Sequence, residues 1–138
     1  MIRWTYLDTS AAVKLFRHEE HSDALERWLH EHPEGRPLTS DLARTELRCA
    51  LTAAQVDEEA KQRAEIWIVH AALIRLTPQL CDSAGKLGPQ VRLRSLDALH
   101  VAAALQMESA LTAFIAYDKR LVDAAAANGL PVVSPEDG

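Results

Sequence analysis

The chain has little cysteine and no stretch approaching the ~18 consecutive apolar residues that a membrane helix needs. Cys49 and Cys81 lie far apart, with no second Cys or His at ligand spacing around either. Neither a disulfide framework nor a zinc site is implied, and two buried thiols are the expectation. The opening residues "MIRWTYLDTS" put Arg3 and Asp8 where a signal peptide would stay apolar, so a soluble, cytoplasmic protein with no membrane contact is expected. Aromatics are few at 5% and no tract is of low complexity, while 48% hydrophobic and 25% charged residues are close to globular averages. Disorder and fibre are thereby excluded. Positive charge is also short: a net charge of −5 argues against tight, purely electrostatic binding to nucleic acid. It does not argue against an acidic site that meets nucleic acid through metal ions. What remains is a chain of 138 residues, the size of one ordinary domain, able to bury a core without staples.

The order of elements is legible from period and punctuation. Arg3 to Leu7 alternates and is rich in Trp, Thr and Tyr, as a first strand should be. A short helix from Ser10 to Phe16 and a second from His21 to His32 follow, the latter with Leu25, Trp28 and Leu29 at helical spacing. "HPEGRP" breaks the chain, Leu38-Thr39 reads as a short strand, and Ser40 is a candidate N-cap for a helix from Asp41 to Ala54. "VDEEAKQRAEIWIVHAAL" is another helix, and Ile74-Arg75-Leu76 suits a strand. Thr77-Pro78 opens the next helix as cap and first helical residue, and Gly85, Gly88 and Pro89 end it. Ser95 to Glu108 is an Ala- and Leu-rich helix, Leu111 to Ala116 a strand, Asp118 the start of a last helix stopping at Asn128-Gly129, and "PVVS" a last strand. Strands alternating with helices, with no repeat and no linker, predict a single domain over residues 1–138: a three-layer α/β/α fold with a mainly parallel central sheet.

Four acids occupy settings where acids are inconvenient. Asp8 in "YLDTSAAV" and Asp118 in "FIAYDKRL" each fall between a strand and a helix. Either is an ordinary N-cap, or a group at the carboxyl end of a strand, where α/β sheets bind ligands. Glu46 lies inside the apolar stripe Leu42, Ala43, Leu47, Ala50, Leu51, Ala54, and Arg44 and Arg48 point around the helix to other faces. A half-buried carboxylate there costs several kcal/mol unless something pairs with it. Asp97 in "RSLDALHVAAAL" sits in the first turn of an apolar helix, where interaction with the helix dipole is the plain alternative. Singly, each has a structural explanation; together they can converge on one sheet edge. Carboxylates about 4 Å apart repel by roughly 4 kcal/mol per pair at an effective dielectric of 20, so a shared pocket calls for raised pKa values or a cation. Oxygen-only donors suit Mg²⁺ or Mn²⁺, and the matching chemistry is metal-assisted phosphodiester hydrolysis. The histidines of "HEEH" and "HEH" lack the spacing of a zinc helix and read as solvated.

"YLDTSAAVKLF", "DLARTELRCAL", "LRSLDALHVAAAL" and "FIAYDKRL" resemble, in that order, the four acid-bearing motifs of PIN-domain ribonucleases, especially the VapC toxins of type II toxin–antitoxin (VapBC) pairs. The resemblance spans residues 1–135. It implies that Asp8, Glu46 and Asp97 are the central metal-binding and catalytic acids and Asp118 the fourth, a more distant or water-mediated contact. It also implies Mg²⁺- or Mn²⁺-dependent endoribonuclease activity on structured RNA, a homodimer, and inhibition by a cognate VapB-type antitoxin whose C-terminal segment covers the site. Many relatives carry Thr or Ser two residues before the fourth acid, where this chain has Ala116, leaving Thr112, Thr9 or Ser10 to supply a hydroxyl.

Beside the acids, Arg92, Arg94 and Lys14, with Thr9 and Ser10, are candidate substrate contacts, and Lys119 and Arg120 follow Asp118. Cationic groups of this kind position a phosphate backbone without reading sequence, with ordinary solvated charge as the competing explanation for each. His100, one turn after Asp97, reads as a core or supporting histidine ahead of a general base. Trp28 and Trp67 read as core, with an antitoxin groove as the alternative. A haloacid-dehalogenase-type phosphatase would need an Asp where Ser10 stands and is excluded. A PIN-fold DNA nuclease and a non-catalytic metal-binding module stay open, the first because RNA and DNA are told apart through the 2′-hydroxyl.

Overall fold

A computed structural model describes residues 1–87 and 93–138; Arg92, Gly88 and Pro89 lie outside the described residues. The elements run β1 (Arg3–Leu7), α1 (Thr9–Val13), α2 (Ser22–Glu31), β2 (Gly35–Ser40), α3 (Leu42–Ala53), α4 (Glu58–His70), β3 (Ala72–Ile74), α5 (Pro78–Gly85), α6 (Ser95–Leu105), β4 (Leu111–Ile115), α7 (Lys119–Ala127) and β5 (Val132–Val133). The five strands form one sheet in the order β3-β2-β1-β4-β5, and every pairing is parallel. Crossover helices on both faces make the three-layer α/β architecture that alternating elements demand.

Alternation along β1 splits the core. Tyr6 faces the layer built by α5, α6 and α7, where it packs with Leu38, Leu80, Val101, Phe114 and Leu121. Leu7 faces the other layer with Ala11, Leu25, Ala113 and Ile115, beside the cluster of Phe16, Leu47, Leu51 and Ile68. Tyr6 stacks on Phe114 at 5.2 Å between ring centroids, a pair contributing ~0.5–1.5 kcal/mol beyond area burial. Among the described residues no helix is long and apolar enough to cross a membrane.

Several boundaries differ from the sequence expectation for identifiable reasons. Ser40 ends β2 and pairs with Ile74, so it does not cap α3; Asp41 takes the cap position without a side-chain hydrogen bond. β2 starts earlier, at Gly35, because Pro37 is tolerated where β3 does not yet pair: the β2–β3 register begins at Leu38 with Ala72. That same register draws β3 forward to Ala72–Ile74. α6 stops at Leu105 and gives way to a single 3₁₀ turn over Glu108–Ala110. Both cysteines are exposed, not buried. The inward stripes of their helices are Leu47 with Leu51 and Leu80 with Ala84, which turns Cys49 and Cys81 outward.

A tight approach marks the start of β2. A Cβ on Gly35 would collide with Thr5 Oγ1 and crowd Thr112 Oγ1 at 3.1 Å, and Thr5 is a buried β-branched residue that cannot swing away. Gly35→Ala is therefore expected to destabilise the fold by roughly 1–3 kcal/mol, measured as a lowered midpoint in urea unfolding at unchanged m.

Candidate active site

Residue 8 follows β1, the central strand, and must leave the sheet while starting a helix. Asp8 does both. Its backbone is extended and its Oδ1 accepts the Ala11 N–H at 2.9 Å, which caps α1. Ser10 Oγ donates to the same carboxylate at 2.8 and 2.9 Å. The side chain is nevertheless 4% exposed, so a cap and a buried acid are one residue.

α3 and α6 carry Glu46 and Asp97 to the same edge. A cleft of about 250 Å³ opens there, lined by Glu46, Arg94, Ser95, Leu96 and Asp97. Glu46 Oε1 accepts from Thr9 Oγ1 at 2.7 Å and from His100 Nε2 at 2.9 Å. Asp97 Oδ2 lies 3.3 Å from Arg94 Nε, and Arg94 Nη2 lies 3.5 Å from Asp118 Oδ2. One guanidinium thus ties the third acid to the fourth. Asp118 itself caps α7 through the N–H groups of Arg120 and Leu121 at 2.9 and 3.2 Å, and its side chain is 42% exposed. Among the described residues no three His, Cys, Asp or Glu side chains close around a common point to hold an ion as they stand.

The electrostatics distinguish the two innermost acids. Burial pushes the Asp8 carboxyl up to about 6; His100 and the hydrogen bonds from Ala11 and Ser10 pull it down, and the charge of Asp97 adds to the rise. Burial also raises Glu46, but the hydrogen bonds from His100 and Thr9 outweigh it and hold the group below its ordinary value. The two carboxylates are thus shifted in opposite directions: burial prevails at Asp8, and the hydrogen-bond donors prevail at Glu46.

Other candidates divide cleanly. Thr9 and Ser10 touch Glu46 and Asp8 directly, whereas Thr112 sits at the opposite end of β4 and donates to Trp4 O at 2.9 Å, so it is not a source of the missing hydroxyl. Lys14 is engaged with Glu19 at 3.0 Å and lies over the Tyr117 ring. Lys119 pairs with Asp123 at 3.3 Å on the surface. His18 is solvated as expected, but His21 stacks on Tyr117 and exchanges hydrogen bonds with Asp137. Trp28 and Trp67 pack against the core. Sequence reasoning missed Tyr6, whose hydroxyl lies 2.7 Å from His100 Nδ1; a polar side chain on a strand face otherwise given to core was the available signal.

The geometry meets known proteins at this point. The PIN domain family matches residues 5–127. Ribonuclease VapC46 of Mycobacterium tuberculosis is 40% identical over 132 residues, covering 94% of this chain and 96% of that protein. Ribonuclease VapC35 of the same species is 41% identical over 136 residues, with 94% and 96% covered. The crystal structure of Mycobacterium tuberculosis VapC20, a sarcin-ricin loop cleaving toxin, superposes with a TM-score of 0.72 over 95% of this chain and 99% of that one, at 18% identity, a likeness of fold. The chain belongs to the PIN-domain family and, within it, to the VapC ribonucleases.

The raised Asp8 pKa has a stability consequence. Between about 4 and about 6 the native metal-free protein holds a proton that the unfolded chain releases, so stability falls as pH rises through that window, by at most roughly 3 kcal/mol. Asp8→Asn, which keeps the cap, should remove this component and be the more stable protein at pH 7 without metal; urea titrations of both at pH 4.5 and 7 check it.

Proposed function

We propose that this chain is a Mg²⁺- or Mn²⁺-dependent endoribonuclease, the toxin of a type II toxin–antitoxin pair, a single PIN domain acting in the cytoplasm. The observation that carries the reading is that Glu46 and Asp97 line one cleft and that the charge of Asp97 acts on the buried Asp8 carboxyl, which burial pushes up. A site so overloaded with negative charge, and furnished with oxygen donors alone, fits a hard divalent cation. Asp8, Glu46 and Asp97 would hold it, with Asp118 linked to them through Arg94. A cation held there would supply Lewis-acid chemistry, activating a water and neutralising charge at a scissile phosphate.

The chain's own residues do the rest. Ser10 and the Ala11 N–H fix the Asp8 carboxylate, and Thr9 fixes Glu46. Arg94, at 67% side-chain exposure on the cleft rim, would contact an RNA phosphate, and Arg92 belongs to the same proposal. Family membership supports a VapB-type antitoxin as partner and a homodimer as the working form. The rival of a non-catalytic metal-binding module predicts no cleavage under any condition, and a DNA nuclease of the same fold predicts cleavage of DNA in place of RNA.

Purified protein incubated with total bacterial RNA should give discrete cleavage that needs Mg²⁺ or Mn²⁺ and stops with chelator. Asp97→Asn should lower the rate on the order of 100-fold. Unaltered cleavage by Asp97→Asn, or cleavage in chelator, would sink the reading. Mn²⁺ at about 100 times its dissociation constant should stabilise the wild type by ~2.7 kcal/mol and Asp8→Asn by clearly less, read as thermal midpoints.

A further inference from the structure

His100 is 2% exposed and gripped at both ring nitrogens, with Tyr6 Oη 2.7 Å from Nδ1 and Glu46 Oε1 2.9 Å from Nε2. An ionised carboxylate only accepts hydrogen bonds, so the hydrogen in that contact belongs to Nε2. The buried Tyr6 Oη, 2.7 Å away, supplies the partner for Nδ1. One state is excluded: a neutral ring that turns a bare Nε2 lone pair toward the carboxylate.

The phenol is itself immobilised. Its ring stacks on Phe114 and meets His100 edge-on at 5.8 Å. On the far side, Thr9 Oγ1 reaches the same Glu46 oxygen at 2.7 Å. Every hydrogen bond to Glu46 among the described residues therefore falls on Oε1, and Oε2 is left to the cleft.

We propose that Tyr6 and His100 are positioning residues that present Glu46 to the divalent cation through one oxygen, Oε2. The inference rests on the metal-dependent reading above. Tyr6 touches no acid of the site; it acts by holding the ring whose Nε2–H, together with Thr9, occupies Oε1. Without that hold the carboxylate can pivot, and its two oxygens exchange places at the cation. Loss of a group that orients a metal-binding side chain weakens metal affinity by about 10–100-fold.

Tyr6→Phe removes one hydroxyl and keeps the stacked ring. Mn²⁺ calorimetry on wild type and Tyr6→Phe should show the dissociation constant rising on the order of 10-fold, with kcat recovering at saturating Mn²⁺ and KM for RNA unchanged. His100→Gln, whose amide N–H can still reach Glu46, should retain more Mn²⁺ affinity than His100→Leu. Independently of metal, ¹⁵N NMR of the imidazoles should find Nε2 of His100 protonated in the wild type. An unprotonated Nε2, or equal Mn²⁺ affinities in wild type and Tyr6→Phe, overturns the proposal. A wild type that binds no Mn²⁺ overturns the metal-dependent reading and this one with it, but leaves the NMR result standing, so the two failures are distinguishable.

Discussion

The structure turns on a carboxylate that the core surrounds without absorbing. Asp8 follows the central strand of a five-stranded sheet, where burial on both faces would ordinarily select an apolar residue. It is tolerated because α1 begins immediately and lends its first-turn N–H, and because Ser10 closes over the same oxygens. The strand end, the helix start and the acid therefore constrain one another. Moving Asp8 by one residue would cost the cap, flip the side chain to the opposite face of the sheet, or both.

The remaining acids are arranged by packing on either side of β1. α3 belongs to the layer that receives Leu7, and α6 to the layer that receives Tyr6. Glu46 and Asp97 thus arrive from opposite faces, and a continuous hydrogen-bonded thread, Tyr6 to His100 to Glu46 to Thr9, crosses the sheet edge between the layers. The polar groups in it satisfy one another, which is what makes a histidine at 2% exposure compatible with a well-packed core.

The alternation of elements, the parallel sheet and the four acids were legible in the sequence because each leaves a local trace: a period, a cap or a polar residue in an apolar stripe. Asp8 and Asp118 each cap a helix, as one reading had it, and each follows a strand of the sheet at its carboxyl end. What escaped was set by partners distant in the chain. β3 took its bounds from its register with β2, and Ser40 was claimed by the same pairing. Cys49 and Cys81 were misjudged because residue type was allowed to outweigh helical phase, and their helices had better apolar stripes to bury. Tyr6 looked like one more strand aromatic, because nothing in its neighbourhood announces a histidine 94 residues later.

The sheet order also dictates when the protein can come into being during translation. β1 is made first, yet its pairing with β4 waits for Leu111–Ile115, and Asp97 and Asp118 arrive on either side of that strand. Until then the central strand has an open edge, and parallel pairing across such a separation is slow to nucleate. A ribosome therefore releases most of this chain before Asp97 and Asp118 can take their places beside Asp8 and Glu46, so a prematurely terminated product is a chain without that edge.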